Sequence, residues 1–148
     1  MRTAIVERPL DPCGLLAEVE SHANGAAVLF VGTVREMNDG RPVTGIDYSA
    51  YVPMAERELD AIVREASDRF GTSHVVVEHR LGTLGLGEAS VVIAVAHPRR
   101  SPAYDASRYV IEELKRRVPV WKREGYVDGE SEWVPGFTAA AGPEGRPA

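Results

Sequence analysis

The stretch that decides the fold is Leu114–Glu124, LKRRVPVWKRE, in which a helical pattern gives way to an extended one. Val118 precedes Pro119, and a residue before proline is pushed out of the α region, so we expect the helix to end there. Lys115 lies in the last turn of that helix, and Lys122 lies seven residues later in the extended segment. Two cations on two elements joined at a corner can converge on one small anion.

The distribution of charge supports an anion site. Residues 99–123 carry eight basic and three acidic side chains, a net +5, whereas the whole chain is −5 and the remainder therefore −10. An acidic protein with one basic quarter favours a compact anion over nucleic acid as its ligand. A basic helix C-terminus that complements the macrodipole would explain Arg116 and Arg117 equally well. It does not explain Arg99 and Arg100 at the other end of the helix.

Length and composition indicate one globular domain. The 148 residues can bury a core, and we expect a single domain over residues 1–136 followed by a disordered Gly-, Ala- and Pro-rich tail over residues 137–148. The apolar runs are too short to span a bilayer and no signal-peptide pattern is present, so no membrane association is expected. A single cysteine, Cys13, excludes an internal disulfide framework and favours the reducing cytoplasm.

Periodicity and capping residues predict an α+β domain, a sheet with three helices packed against it, in the order β-α-β-β-α-β-β-α-β-β. Strands are predicted at residues 3–7, 26–36, 43–51, 75–80, 89–97, 122–127 and 132–134, and helices at 12–23, 53–70 and 101–118.

Four finer expectations follow from local composition. The strand over residues 26–36 is apolar on both faces in its first half, which predicts a central strand. Residues 37–42, MNDGRP, have the composition of a mobile loop. Gly82–Gly87 contains GxxGxG without the strand-to-helix context or the lysine of a phosphate loop, and so predicts a tight turn between strands. Met54 is expected to belong to the buried stripe of the second helix.

Several side chains are candidates for chemistry. His97–Ser101, HPRRS, ends a strand and starts a helix, where free N–H groups, the helix dipole and two arginines attract anions. His97 itself is as compatible with a structural as with a catalytic role. Lys115, crowded by other cations and partly desolvated, would have a lowered pKa suited to proton transfer or nucleophilic work. Arg35 closes an apolar strand, and Trp121 is expected to be a packing anchor rather than a stacking platform.

Four motifs occur in one order along the chain: residues 30–35 (FVGTVR), residues 51–56 (YVPMAE), residues 79–88 (HRLGxLxxGE) and residues 114–124 (LKxxxPxWKRE), with Trp133-Val134 following. In this combination the chain resembles the large, catalytic subunit of molybdopterin synthase from about Ala26 to Val134.

The resemblance implies an α/β hammerhead-type fold and a homodimer. A small ubiquitin-like sulfur-carrier subunit would dock on each protomer to form a heterotetramer, and its C-terminal Gly-Gly thiocarboxylate would enter the pocket. Two sulfurs would be transferred to cyclic pyranopterin monophosphate (precursor Z), giving the dithiolene of molybdopterin. Neither a cofactor nor a metal is expected.

The resemblance also carries over individual residues. Arg35 matches an arginine that contacts the substrate phosphate, with Thr33 and Val34 beside it, and Arg100 matches the arginine that starts the third helix. Lys115 and Lys122 match the two lysines of the active site.

We expect Lys115 to be the essential lysine, acting in proton transfer or in stabilising the oxyanion that forms as sulfur adds to the pterin side chain. Lys122 is expected to hold the phosphate and to polarise the terminal carbonyl of the carrier.

Two positions depart from the family pattern. The family commonly has a histidine directly before the helix-start arginine, where this chain has Arg99, and His97 lies two residues earlier. Either residue can therefore belong to the substrate site. The tail, in which relatives can lend a basic residue to the neighbouring protomer, offers only Arg146.

Two other functional classes compete with a sulfurtransferase. A non-catalytic phosphate- or nucleotide-binding module would use the same anion pocket, although binding alone does not need a crowded lysine. A general RNA-binding protein is disfavoured by the net charge of −5 and by the lack of aromatic residues among the basic ones.

Overall fold

The predicted α+β architecture is confirmed by a computed structural model, which describes residues 1–135 apart from the Glu132 side chain. The strands are β1 (Arg2–Val6), β2 (Ala26–Thr33), β3 (Met37–Asn38), β4 (Arg41–Ala50), β5 (Val75–Arg80), β6 (Gly82–Gly85), β7 (Ala89–His97), β8 (Val120–Tyr126) and β9 (Ser131–Pro135), and the helices are α1 (Pro12–Val19), α2 (Val52–Phe70) and α3 (Arg100–Arg117). The predicted tail, with Arg146, lies outside the described residues.

The strands form two sheets rather than the single sheet that was expected. A four-stranded mixed sheet has the order β1-β5-β7-β2, in which only β1 and β5 run parallel. In the second, antiparallel sheet, β4 pairs with β3, β6 and β8, and β8 pairs with β9.

The helices cover both faces of the four-stranded sheet. On one face, α2 and α3 pack against β5 and β7 in a core that continues into the second sheet, and on the other face α1 packs against β5, β7 and β2. Ala55, Leu59 and Ile62 of α2 are fully buried, but Met54 is 46% exposed, so its assignment to the buried stripe was wrong. Among the described residues, no helix is long and apolar enough to cross a membrane.

The expectation that the strand over residues 26–36 is central was wrong, because among the described strands β2 pairs only with β7 and so forms an edge of its sheet. Its apolar side chains serve both faces: Phe30 packs towards α2 and α3, and Leu29 and Val31 pack towards α1. Helices that cover both faces of a strand explain its composition without a second strand beside it.

The predicted mobile loop over residues 37–42 is instead a tight hairpin between β3 and β4. Asp39 and Gly40 are its two turn residues, and both have positive φ, 48° and 77°. Two successive positive φ values are typical of the type I′ turn that joins twisted antiparallel strands. The glycine-rich stretch is likewise more than a turn, since Gly82–Gly85 forms β6 before the chain turns into β7.

The corner at Pro119 has the predicted geometry. Val118 leaves the helical region, with φ −78° and ψ 121°, while its N–H still donates to the Leu114 carbonyl. The chain then enters β8 and runs antiparallel to β4. The corner thus places the end of α3 beside the face of the second sheet that carries Lys122.

Candidate functional site

The two lysines line one pocket, as the sequence predicted. This cavity, of about 160 Å³ and here called the lysine pocket, lies between the end of α3, the end of β2 and the inner face of β4 and β8. Its polar lining residues are Thr33, Arg35, Asn38, Tyr48, Ser90, Lys115, Lys122 and Glu124. Trp121 points to the opposite face of β8 from Lys122, because neighbours alternate along a strand, and it is 40% exposed rather than packed in the core.

Lys115 and Lys122 are the only lysines in the sequence, although it has 17 lysine and arginine residues in total. Arginine stays protonated in proteins, whereas a lysine amine can be shifted towards neutral pH. Both of the chain's titratable amine side chains thus line the same cavity.

The surroundings of Lys115 destabilise its charge. Burial and, secondarily, the positive charge of Lys122 hold the pKa of the Lys115 amine below its ordinary value. By surface area the residue as a whole is nevertheless exposed to solvent, and among residues 1–135 its side chain makes no hydrogen bond or ion pair. An amine in this position is suited to exchange a proton with a ligand.

Because the chain has only two lysines, the pKa of Lys115 can be measured directly. Reductive ¹³C-methylation labels these two amines and the N-terminus, and we expect the Lys115 methyl signal to titrate below the ordinary lysine value of about 10.4. In Lys122→Met a nearby cation is lost, so protonation of Lys115 costs less and its pKa should rise. A Lys115 titration midpoint that is the same in both proteins would contradict this coupling.

Lys122 differs from Lys115 in having a carboxylate partner, Glu124, which the sequence did not single out. The Lys122 Nζ lies 3.2 Å from Glu124 Oε1, and Glu124 is only 4% exposed. Glu124 Oε2 accepts hydrogen bonds from the Tyr126 hydroxyl, at 2.6 Å, and from the Asn38 amide. Residues two apart on a strand share a face, so the Lys-x-Glu spacing was a signal for this pair.

Glu124 remains charged despite its burial. Burial raises the pKa of its carboxyl, but hydrogen bonds from Tyr126 and Lys122 outweigh that effect and lower the pKa overall. The carboxylate therefore offsets the charge of Lys122 and fixes its ammonium group. The two lysines differ accordingly: Lys122 is held in place, and Lys115 has no protein partner among the described residues.

Of the residues at the end of β2 that were predicted to contact substrate, Thr33 and Arg35 line the lysine pocket and Val34 packs in the core. Arg35 is exposed, and within residues 1–135 its side chain makes only a long contact of 3.5 Å to Asn38. Val34 is 4% exposed, its N–H donates to the Glu88 carbonyl, and its own carbonyl accepts from Gly87 N–H. A substrate contact by Val34 remains a prediction, and its side chain packs in the core.

His97, Arg99 and Arg100 lie around the start of α3, the end of the helix opposite Lys115. Arg99 and Arg100 line a different surface cavity, beside Gly25 and Pro98. His97 is buried, and its Nδ1 accepts the Arg99 backbone N–H at 2.9 Å. Fifteen residues of α3 separate Arg100 from Lys115, about 22 Å at 1.5 Å per residue. One small ligand cannot contact both within a single protomer.

The described part of the chain contains no group of three or more His, Cys, Asp or Glu side chains placed to hold a metal ion. The lysine pocket is instead a cationic site, with one arginine and two lysines against one carboxylate. Such a site can bind a phosphate or carboxylate and can move a proton at Lys115.

Comparison with known proteins identifies the relatives of the chain. Residues 5–117 match the family described as MoaE protein. The molybdopterin synthase catalytic subunit of Bacillus subtilis (strain 168) is 39% identical over 147 residues, which cover 99% of this chain and 93% of the relative. The subunit of the same name from Synechococcus elongatus is 45% identical over 135 residues, covering 88% and 82%. The solved structure of molybdopterin synthase from Staphylococcus aureus aligns with a TM-score of 0.82 at 36% identity, covering 87% of this chain and 93% of that one.

Proposed function

The chain belongs to the MoaE protein family, and from this membership we propose that its lysine pocket is the site at which sulfur is transferred to precursor Z. The relatives are named molybdopterin synthase catalytic subunits, so the chain acts as a sulfurtransferase of molybdenum cofactor biosynthesis. That name gives no support to the alternative of a non-catalytic binding module.

The observation that supports this assignment is that the two pocket lysines have different surroundings. Lys122, paired with Glu124 at 3.2 Å, is held as a fixed cation that binds the substrate phosphate and polarises the terminal carbonyl of the carrier. Lys115, whose pKa is lowered, transfers a proton or stabilises the oxyanion as sulfur adds to the pterin side chain. Arg35 and Thr33 at the pocket rim complete the phosphate contacts.

The sulfur donor is a small ubiquitin-like carrier subunit that ends in a Gly-Gly thiocarboxylate. A tail without side chains suits a cavity of about 160 Å³, because it can deliver its terminal sulfur without filling the space that the substrate needs. Fixed cations in the pocket also attract its anionic terminus. Carrier and catalytic subunit together form a heterotetramer around a homodimer.

Arg99 and Arg100 serve the same site from the second protomer of that homodimer. The outer edge of β2 is unpaired among the described strands, and apolar edge strands are normally covered in native proteins. If two copies of β2 pair antiparallel about a two-fold axis that crosses the middle of the strand, Ala26 of one chain lies opposite Thr33 of the other. Ala26 lies beside His97, and Thr33 lines the lysine pocket. This pairing would bring the arginines of one protomer to the lysine pocket of the other.

The catalytic unit comprises residues 1–136 as one domain, and it works in the cytoplasm, where the single Cys13 stays reduced.

A single-turnover assay tests the assignment. The purified protein is mixed with precursor Z and thiocarboxylated carrier, and the dithiolene product is followed with time. Product should form with the thiocarboxylate and not with a carrier that ends in an ordinary carboxylate, since only the former supplies sulfur. If precursor Z binds but no dithiolene forms with either carrier, the chain is not the sulfurtransferase.

A further inference from the structure

Tyr48 is a component of the lysine pocket to which no role has yet been given. It lies on β4 directly opposite Lys122 of β8, so that the two side chains share the inner face of the sheet. The residue is 9% exposed, yet it lines the pocket together with Lys115 and Lys122.

The Tyr48 hydroxyl has no hydrogen-bond partner among residues 1–135, and Tyr48 lines the lysine pocket. A ligand in the pocket can therefore supply the missing partner.

The ring of Tyr48 is held from beneath by His79. The two rings meet edge to face, with centroids 5.4 Å apart and planes at 77°. His79 is 2% exposed, and its Nδ1 lies 3.0 Å from the Arg80 carbonyl oxygen. Burial and then the charge of Lys115 lower the pKa of His79 to about 4, so at neutral pH the imidazole is uncharged and its Nδ1 carries the proton that Arg80 accepts. The contact with this neutral ring helps to hold the phenol ring of Tyr48 in place.

We propose that Tyr48 is a substrate-contacting residue, whose hydroxyl donates a hydrogen bond to the anionic oxygen that Lys115 and Lys122 attract. A neutral hydroxyl donor orients the bound oxygen, whereas the two ammonium groups supply mainly positive charge. The acceptor is an oxygen of the substrate phosphate or of the terminal carboxyl group of the carrier. The inference rests on the sulfur-transfer function proposed above.

Tyr48→Phe tests the proposal because it removes the hydroxyl and keeps the ring that packs on His79. We expect kcat/KM to fall about tenfold, the value of one hydrogen bond to a charged group. If the KM for precursor Z rises, the acceptor is the phosphate. If the KM for the carrier rises, the acceptor is the carrier terminus. Kinetics unchanged for both substrates would overturn the proposal.

Tyr109→Phe is the matched control. The Tyr109 hydroxyl donates to Glu65 at 2.8 Å in the contact between α2 and α3, outside the lysine pocket. The Tyr109→Phe variant also loses one phenol hydroxyl, but from a hydrogen bond outside the pocket. Its kinetics should therefore equal those of the wild type. Thermal unfolding of both variants shows whether a loss of activity comes from loss of fold.

A second measurement does not need turnover. Inorganic phosphate is titrated against the ¹³C-methylated protein, and the shift of the Lys115 signal reports binding in the pocket. Tyr48→Phe should need about tenfold more phosphate for the same shift if the hydroxyl contacts the phosphate. If the wild type gives no dithiolene, the sulfur-transfer function fails. The remaining outcome is that the wild type and Tyr48→Phe shift at the same phosphate concentration and have the same KM for the carrier. That result refutes the role of Tyr48 and leaves the sulfur-transfer function standing.

Discussion

Lys115→Ala is expected to lower the single-turnover rate of dithiolene formation by about 100-fold or more, the usual contribution of a positioned acid–base group. Lys115 is the lysine whose pKa is lowered by burial and by Lys122, and among residues 1–135 it has no hydrogen-bond or ion-pair partner. Its removal therefore breaks no hydrogen bond or ion pair among residues 1–135. The thermal unfolding temperature should stay the same or rise slightly, because a partly desolvated charge is lost.

Two companion variants separate chemistry from binding. Lys115→Arg keeps the positive charge but cannot release its proton near neutral pH, so it should bind precursor Z and remain slow. Lys122→Ala removes the fixed cation and should raise the KM for precursor Z more than it lowers the rate at saturation. Near-normal turnover by Lys115→Ala would refute its role in the reaction.

Mixing two impaired variants is expected to raise activity above that of either alone if the site is shared between protomers. Arg100→Ala should lower kcat/KM about tenfold or more by removing a charged contact to substrate, and Lys115→Ala should slow the chemistry about 100-fold or more. In a mixed dimer of the two, one site combines both substitutions, and the other combines the intact Lys115 of one chain with the intact Arg100 of its partner. An equal, fully exchanged mixture should therefore recover about a quarter of the wild-type activity.

The same mixture distinguishes the opposite arrangement. If Lys115 and Arg100 of one chain served one site, every site in the mixture would carry one substitution and no recovery would occur. The 15 residues of α3 that separate them argue against that arrangement. Arg108→Ala is the matched control: its guanidinium pairs with Glu112 on the exposed side of α3, and its loss should leave turnover unchanged.

The elements that the sequence predicted best are those with local causes. The end of α3 at Val118 follows from the steric effect of Pro119, and the end of α2 follows from Gly71, whose φ of 70° is left-handed. The strands over residues 75–80 and 89–97 have the predicted bounds because a continuous apolar run between turn residues is itself local information. The same local effect of Pro119 predicted that Lys115 and Lys122 lie on two different elements that meet at one corner.

The error at β2 arose because pairing between distant segments decides which strand is central. Helices bury the faces of a strand, whereas neighbouring strands pair with its edges. The apolar composition of β2 therefore indicated that both of its faces are covered, but it could not indicate that one edge is open. The hairpin over residues 37–42 has loop composition because its turn requires two positive φ values.

Local sequence was sufficient to predict the α+β class, the corner at Pro119 and the two pocket lysines, because each depends on residues close together in the chain. Tertiary packing was needed to place Tyr48 opposite Lys122 and against His79, and to enclose Lys115, Lys122 and Glu124 in one pocket with the end of β2. Both features depend on the register between β4 and β8 and on the packing of the two sheets against α3. Long-range packing fixes both, and no single stretch of sequence encodes them.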